Sequence, residues 1–402
     1  MSMSEDRSSV KSKSTQRTVM LLTRFYPPDL GGVATFTGTL AHALAAQGLH
    51  VYVLTPRRDS QKVREGANVE VIPIPKGSIR WLKLLRQMWA IYRFQRRTRP
   101  DVVLVRYWIP MGMMAWALSY ITPMRYSVFI HGTDIEWYPS GLGRWLLRQV
   151  CRRADWLLPN TRYTARQMRA ALPQAGRDAV IPCAIEVEAM EPHRVPPGTS
   201  AKAQLRMEGR RVLLTVSALG PRKGHRFVLE ALKELIEEFP DLLYVYTGKG
   251  PEKEAIEEQT RQLGLEQHVR PAGFIETAEV MRYYQAADLF VMVSYCPENP
   301  SDFEGFGIVY LEAAYWGVPS VAARFAGPEE VIGDGETGVL VDPSDPSRLV
   351  TTLRDLLQNP SKTRRLGEAA RQQVLKKYTS EAMARQLYSV LFPPDAEEES
   401  SR

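Results

Sequence analysis

A strand-then-helix rhythm that runs twice, with one interruption, limits the fold of this chain more than any other feature. It starts at TVMLLT (18–23), passes through the helix pattern VATFTGTLAHALAAQG and returns in HVYVLT (50–55). VEVI, DVVLV, SVFI, DWLLP and AVIP continue it, each beside a helical stretch or a turn. Residues 189–200, AMEPHRVPPGTS, are rich in proline and lack periodicity, as a linker would be. The rhythm resumes in RVLLTVS, LYVYTG, VRPAG, DLFVMVS, PSVAA and GVLV, between helix patterns such as GHRFVLEALKELIEEF. Short apolar runs alternating with helices indicate a parallel sheet covered on both faces. The expected fold is α/β: two Rossmann-like, doubly wound domains facing a deep interdomain cleft, with ligands beyond the carboxyl ends of the strands.

The length of 402 residues suits two such domains. Residues 1–17 are polar, without the apolar core of a signal peptide, and read as a disordered tail. Cys151, Cys183 and Cys296 form no C-x-x-C pair, which suggests a reducing compartment. The most apolar window, MGMMAWALSYIT, is 12 residues long. A bilayer needs about 20, so this window reads as a buried helix.

Charge is divided unevenly. Residues 1–195 hold 28 Lys and Arg against 14 Asp and Glu, and the remainder 24 against 31. A basic first half invites an anionic partner. The signal is densest in IRWLKLLRQMWAIYRFQRRTR (79–99), where Leu82, Leu85, Met88, Trp89 and Tyr92 fall at helical spacing between arginines. Such a helix suits an anionic membrane surface; the alternative is a helix packed on the sheet with a solvated basic face. No aromatic-rich nucleic-acid module or zinc pattern accompanies the charge, so no nucleic-acid partner is expected.

Three loops after strand ends suit anions. In DLGGVATF, Gly31 and Gly32 precede a helix; glycines let backbone N–H groups approach a phosphate, although a double glycine is also an ordinary tight turn. In SALGPRKGHRF (217–227), Arg222 and Lys223 lie next to a glycine at the mouth of the second sheet. In the third, YCPENPSDF forms an irregular loop and GFGIVYLEAAYWG begins a helix expected from about Gly305. Glu304 then stands just ahead of the helix and Glu312 two turns inside it. N–H groups near Phe306, Gly307 and Ile308 are expected to face the cleft. Taken singly, each glutamate reads as well as a cap or a solvated helix residue.

The two glutamates, with seven residues between them and followed by A-x-x-x-G-x-P in EAAYWGVPSVA, resemble the nucleotide-sugar half of retaining GT-B glycosyltransferases, specifically glycosyltransferase family 4. The resemblance extends to GKGP (248–251), YYQAADLFVMVS, GPEEVIGDGETGVLVDP, the N-terminal GG and HGTD (131–134), over roughly residues 18 to 392. It implies an acceptor-side domain at 18–195 and a nucleotide-sugar domain at 196–376. Residues 377–392 become a helix crossing back to the first domain, and 393–402 a tail.

The resemblance also implies roles. Lys223 and the helix start neutralise the donor diphosphate, Glu312 meets the ribose hydroxyls, and Glu304 meets the transferred sugar. His131 touches the donor sugar from the first domain, and Gly32 approaches the phosphate. Glu304, His131 and Lys223 are thus the catalytic candidates, and Gly32, Arg222, Lys223, Gly248, Ile275, Phe306, Gly307, Ile308 and Glu312 the donor-binding ones. Relatives often carry Arg five residues before the motif Lys, where this chain has Ala218, and Arg222 is the available substitute.

There is no D-x-D, and Asp334-Gly-Glu336 reads as a turn, so neither a metal nor another cofactor is expected. The implied activity is transfer of a hexose, mannose or glucose, from a nucleotide diphosphate sugar to a lipid-linked or polysaccharide acceptor. The expected location is the cytoplasmic face of the membrane. Sugar-nucleotide 2-epimerases of the same fold and a catalytically silent sugar-nucleotide-binding subunit are the alternatives.

Overall fold

The structure, a computed structural model, describes residues 16–29, 32–56, 63–75, 80–132, 141–295 and 302–393. Its first half runs β1 (Thr18–Leu22), α1 (Gly32–Ala46), β2 (His50–Pro56), β3 (Val63–Arg64), β4 (Val69–Ile74), α2 (Arg80–Thr98), β5 (Val102–Val105), α3 (Met113–Leu118), β6 (Tyr126–Ile130), α4 (Gly141–Arg153), β7 (Trp156–Pro159) and α5 (Arg162–Ala171). The sheet order is β3-β4-β2-β1-β5-β6-β7. Every pairing is parallel except β3 with β4, where Arg64 lies opposite Glu70. Inner strands such as β5, VVLV, are buried at every residue, which is why they show no polar alternation.

The second half contributes β8 (Arg211–Val216), α6 (His225–Leu235), β9 (Leu242–Thr247), α7 (Lys253–Gln262), β10 (Val269–Gly273), α8 (Thr277–Ala286), β11 (Leu289–Met292), α9 (Ile308–Tyr315), β12 (Ser320–Ala323) and β13 (Gly338–Val341). Helices α10 (Pro346–Gln358), α11 (Pro360–Lys377) and α12 (Ser380–Leu391) follow. Its six strands are all parallel, in the order β10-β9-β8-β11-β12-β13. Strand order reverses between β8 and β11 here, and between β1 and β5 in the first sheet. Each reversal opens a crevice at the strands' carboxyl ends.

Right-handed crossovers set the layers. Helices α2, α3 and α4 share one face of the first sheet, where Ile91, Met114, Leu118, Leu147 and Val150 pack with Met20 and Val103. A second core runs from α1 and the opposite face of that sheet into the facing side of the second sheet. Helix α12 helps close it: it packs on α1 and buries Met383, Ala384, Leu387 and Leu391. Ser380 N–H donates to the Ile185 carbonyl at 2.8 Å, and the Arg17 guanidinium lies 4.6 Å from the Phe392 ring.

One strand expectation needs correction. AVIP forms no strand: Ala179 and Ile181 donate to Leu157 and Pro159, but only one isolated bridge, Leu157 with Asp178, results. It lies beside a short edge strand, and Pro182 cannot extend the ladder. The two-residue β3 went unforeseen because it is too short to show a period. The Pro-rich stretch is partly ordered, with a 3-10 turn at Glu191–His193 whose Glu191 accepts from the Tyr315 hydroxyl.

Candidate active site

The loop after β8 enters the second sheet's crevice. Pro221–Lys223 makes a 3-10 turn, and Gly224, in the left-handed region at φ 75°, caps α6. Behind it His225 is buried, its Nε2 3.1 Å from Ser217 Oγ and its Nδ1 2.8 Å from the Tyr244 hydroxyl. That hydroxyl donates to Thr215 Oγ1 at 3.0 Å, and Thr215 donates to the Val291 carbonyl. Burial and the neighbouring Lys223 push the His225 imidazole down to about 4. A neutral polar chain thus ties the cationic turn to the sheet.

Lys223 Nζ donates to Glu304 Oε2, and Arg222 Nη1 donates to the same oxygen at 2.6 Å. Arg222 Nε also lies 3.0 Å from Asp302 Oδ1. Burial opposes charge on Glu304, but Lys223 and Arg222 outweigh it and hold the carboxyl at about 2. The stabilisation this contributes is complete above the ordinary value of 4.5 and is lost as pH falls toward 2. Ala218 offers no charge here, and Arg222 brings a guanidinium donor fork beside the Lys223 ammonium. An anion entering here must compete with the chain's own carboxylates.

Glu304 reaches this point through close backbone packing. A Cβ on Gly305 would lie 2.6 Å from the His131 carbonyl oxygen, and one on Gly132 would lie 2.6 Å from the Phe303 ring. The His-Gly pair after β6 and the Phe-Glu-Gly segment before α9 therefore touch across the cleft. Tyr163 strengthens the junction: its N–H donates to Glu330 Oε1 at 2.7 Å and its ring lies 5.0 Å from Phe303.

The start of α9 corrects one expectation. The helix begins at Ile308, because Gly307 takes a left-handed φ of 87° with the Tyr310 ring beneath it. Phe306 and Gly307 are buried, and the Phe306 ring packs edge-on to Tyr378. Glu304 is consequently four residues ahead of the helix, and Glu312 lies in its second turn. Glu312 Oε2 accepts from the Tyr284 hydroxyl at 2.7 Å. Burial raises the Glu312 carboxyl despite that bond. Tyr284, inside the quoted YYQAADLF stretch, went unnoticed because nothing local marks it as a carboxylate partner.

The remaining candidates divide by location. Gly248 follows β9 with its N–H 2.7 Å from the Gly273 carbonyl, and Ile275 is half-buried after β10. Lys249 Nζ lies 4.5 Å from the ring of Phe274, an exposed aromatic at the same rim. Gly32 opens α1 at the first sheet's crevice, whereas Gly31, Thr133 and Asp134 lie outside the described residues. His131, half-buried at the end of β6, meets Arg106 Nη1 at 3.2 Å through Nδ1. Burial, with Arg106 added, drives the His131 imidazole well below its ordinary value. Arg106 itself had drawn no attention, since a lone Arg after an apolar strand carries no pattern. Among the described residues no group of three or more His, Cys, Asp or Glu is placed to hold a metal ion.

Facing crevices of two Rossmann-like sheets define the GT-B class, and solved structures share the whole arrangement. Sucrose-phosphate synthase from Thermosynechococcus elongatus superposes with a TM-score of 0.80 at 22% identity, over 94% of this chain and all of that one. Anabaena HepE in complex with UDP and glucose gives 0.71 at 20% identity, over 96% of this chain. Residues 199–373 match the family Glycosyl transferases group 1, and residues 30–189 match Glycosyltransferase Family 4.

The chain belongs to glycosyltransferase family 4 and is a nucleotide-sugar-dependent glycosyltransferase of that type. One relative, at 28% identity over 88% of this chain and 92% of its own length, is the GDP-mannose-dependent alpha-(1-6)-phosphatidylinositol monomannoside mannosyltransferase of Mycolicibacterium smegmatis. The D-inositol 3-phosphate glycosyltransferase of Acidothermus cellulolyticus is 28% identical over 82% of this chain and 78% of its own.

Proposed function

We propose that the chain is a retaining hexosyltransferase that moves a sugar, mannose or glucose, from a nucleotide diphosphate onto a lipid-linked acceptor. The observation that carries this reading is the convergence of Lys223 and Arg222 on one partly buried carboxylate in the β8–β11 crevice. Two fixed cations there neutralise the diphosphate as its bond to the sugar breaks. The acceptor oxygen bonds to the anomeric carbon on the same face, and its proton passes to the departing phosphate oxygen. Glu304 then orients the sugar and Glu312 the ribose. The phosphatidylinositol-directed relative supports mannose and a lipid acceptor. Proton NMR of the product tests the stereochemistry: an anomeric configuration matching the donor is expected, and inversion overturns the reading.

Charge neutralisation by side chains makes the reaction metal-independent. Turnover is expected to persist in excess EDTA. Complete loss, restored by magnesium or manganese, would contradict it.

The membrane side of the proposal rests on the α2–α3–α4 layer. Leu84, Leu85 and Trp89 on α2 are exposed, Trp89 at 59%, although its ring stacks on Tyr92 at 5.4 Å. The Trp81 side chain lies outside the described residues. Tyr120 and Ile121 after α3, and Leu142 and Trp145 on α4, add exposed apolar surface to the same layer. No described helix is long and apolar enough to cross a membrane. Each nearby Arg or Lys contributes about 1 kcal/mol at an anionic surface, and salt removes it. Co-sedimentation with anionic vesicles at low salt is expected, none with neutral vesicles, and a marked loss when Arg93, Arg96 and Arg97 become Glu. Protein left in the supernatant with anionic vesicles at low salt refutes membrane contact.

A further inference from the structure

Arg106 follows β5 at the point where the first sheet's strand order reverses, and only 3% of it is exposed. Three rings surround its guanidinium: Phe36 of α1 at 4.3 Å, Tyr107 at 5.6 Å and Phe129 of β6 at 5.7 Å. Such contacts attract a cation and help hold it in place. Its Nη1 lies 3.2 Å from His131 Nδ1.

A guanidinium has donors only and keeps its charge at any ordinary pH. Across this contact Nδ1 must therefore present its lone pair, and the single imidazole proton resides on Nε2. A second proton on the ring would set N–H against N–H and place two cations in contact.

We propose that Arg106 is a positioning residue for the donor site, fixing His131 as the neutral Nε2–H tautomer so that this histidine acts as a hydrogen-bond donor and never as a base or a cation. The inference rests on the donor-site reading of His131 given above. The surroundings agree with it. Tyr107 meets the ring edge-on at 5.5 Å, and Phe129 lies parallel to it at 6.4 Å. Burial, and after it the charge of Arg106, both act against a second proton on the ring. From the second half, Gly305 packs on the His131 carbonyl, and the neighbouring Glu304 carboxylate is held by Lys223 and Arg222. The Cys183 thiol, which senses both Arg106 and Glu304, is pushed up to about 12 by burial and stays neutral. His131 then offers no base to the cleft, consistent with the acceptor's proton leaving on the diphosphate.

The test is direct observation of the ring. In the full-length protein labelled with 15N-histidine, long-range proton–nitrogen correlation spectra distinguish the two tautomers, and His131→Gln identifies the signals. The wild-type ring is expected to show a protonated Nε2 and an unprotonated Nδ1, unchanged from about pH 8 to 5.5, across the range where an ordinary histidine titrates. Arg106→Met keeps a long side chain over Phe36 but removes the donor. In that variant the ring is expected to titrate within the same range, with kcat/KM for the nucleotide sugar falling as it does, and Arg106→Lys is expected to restore the flat profile in part.

A wild-type ring carrying its proton on Nδ1, or titrating over that interval, overturns the proposal, as does an Arg106→Met spectrum identical to wild type. Should Arg106→Met fail to fold, the wild-type spectrum decides alone. The spectrum also needs no substrate, so an absence of transfer would count against the donor-site reading and leave the tautomer result standing.

Discussion

Replacing Lys223 with alanine is expected to lower kcat/KM for the nucleotide sugar by about 10²–10³-fold while the protein stays folded. Arg222 remains on Glu304 in that variant, so no buried carboxylate is left unpaired. Glu304→Gln is expected to behave differently. It removes the negative partner of Lys223 and leaves Arg222 with Asp302 alone, and breaking such a pair costs about 3–5 kcal/mol where burial is complete. Lys223 and Glu304 side chains are each 12% exposed, so a cost toward the lower end of that range is expected. Nucleoside diphosphate should recover that loss by supplying the missing charge, raising the melting temperature of Glu304→Gln more than that of wild type. Transfer should nevertheless stay low. Initial rates and melting curves with and without diphosphate read both effects. Near-wild-type turnover in either variant removes the assigned roles.

The second large effect concerns glycine. A Cβ on Gly224 would lie 2.1 Å from the Val293 carbonyl oxygen, and one on Gly248 would lie 1.8 Å from that of Ser217, with φ of 75° and 124°. Neither carbonyl is a flexible side-chain end, so the backbone must move. Strain and overpacking together are expected to cost about 3 kcal/mol or more in Gly224→Ala and Gly248→Ala. Gly264→Ala is the control: its φ is 66° but nothing lies within 4 Å, so about 1 kcal/mol is expected. Urea melts compare the three. Equal losses at Gly224 and Gly264 would show that close approach does not matter. Gly248 thus has a packing reason for being glycine, whatever it offers a donor.

Much of the architecture was legible because periodicity reports burial. Strands such as VVLV and LLYVYT are predominantly apolar and buried at every residue since both faces are covered, and their order places the loops at strand ends. Less legible was anything set by distant packing. Gly307 looks like a helix residue locally, yet its left-handed turn over Tyr310 delays α9 by three residues. The Arg222–Glu304 contact spans 82 positions and the Tyr284–Glu312 bond 28, so neither spacing has a local signature. Trp89 reads equally well as core or surface at its place in the heptad-like pattern, and only the packing of α2 decides that it faces out. Arg106 and His131 meet because β5 and β6 are neighbours in the sheet.

The account stands or falls on whether Lys223 and Arg222 hold a donor diphosphate. The measurement is release of nucleoside diphosphate from a panel of nucleotide sugars, GDP-mannose and UDP-glucose among them, by wild type and Lys223→Ala. With EDTA and an acceptor-containing lipid extract present, wild type is expected to release the diphosphate from at least one donor and Lys223→Ala about 10²–10³-fold less. Release by both proteins at similar rates, or by neither, would contradict it.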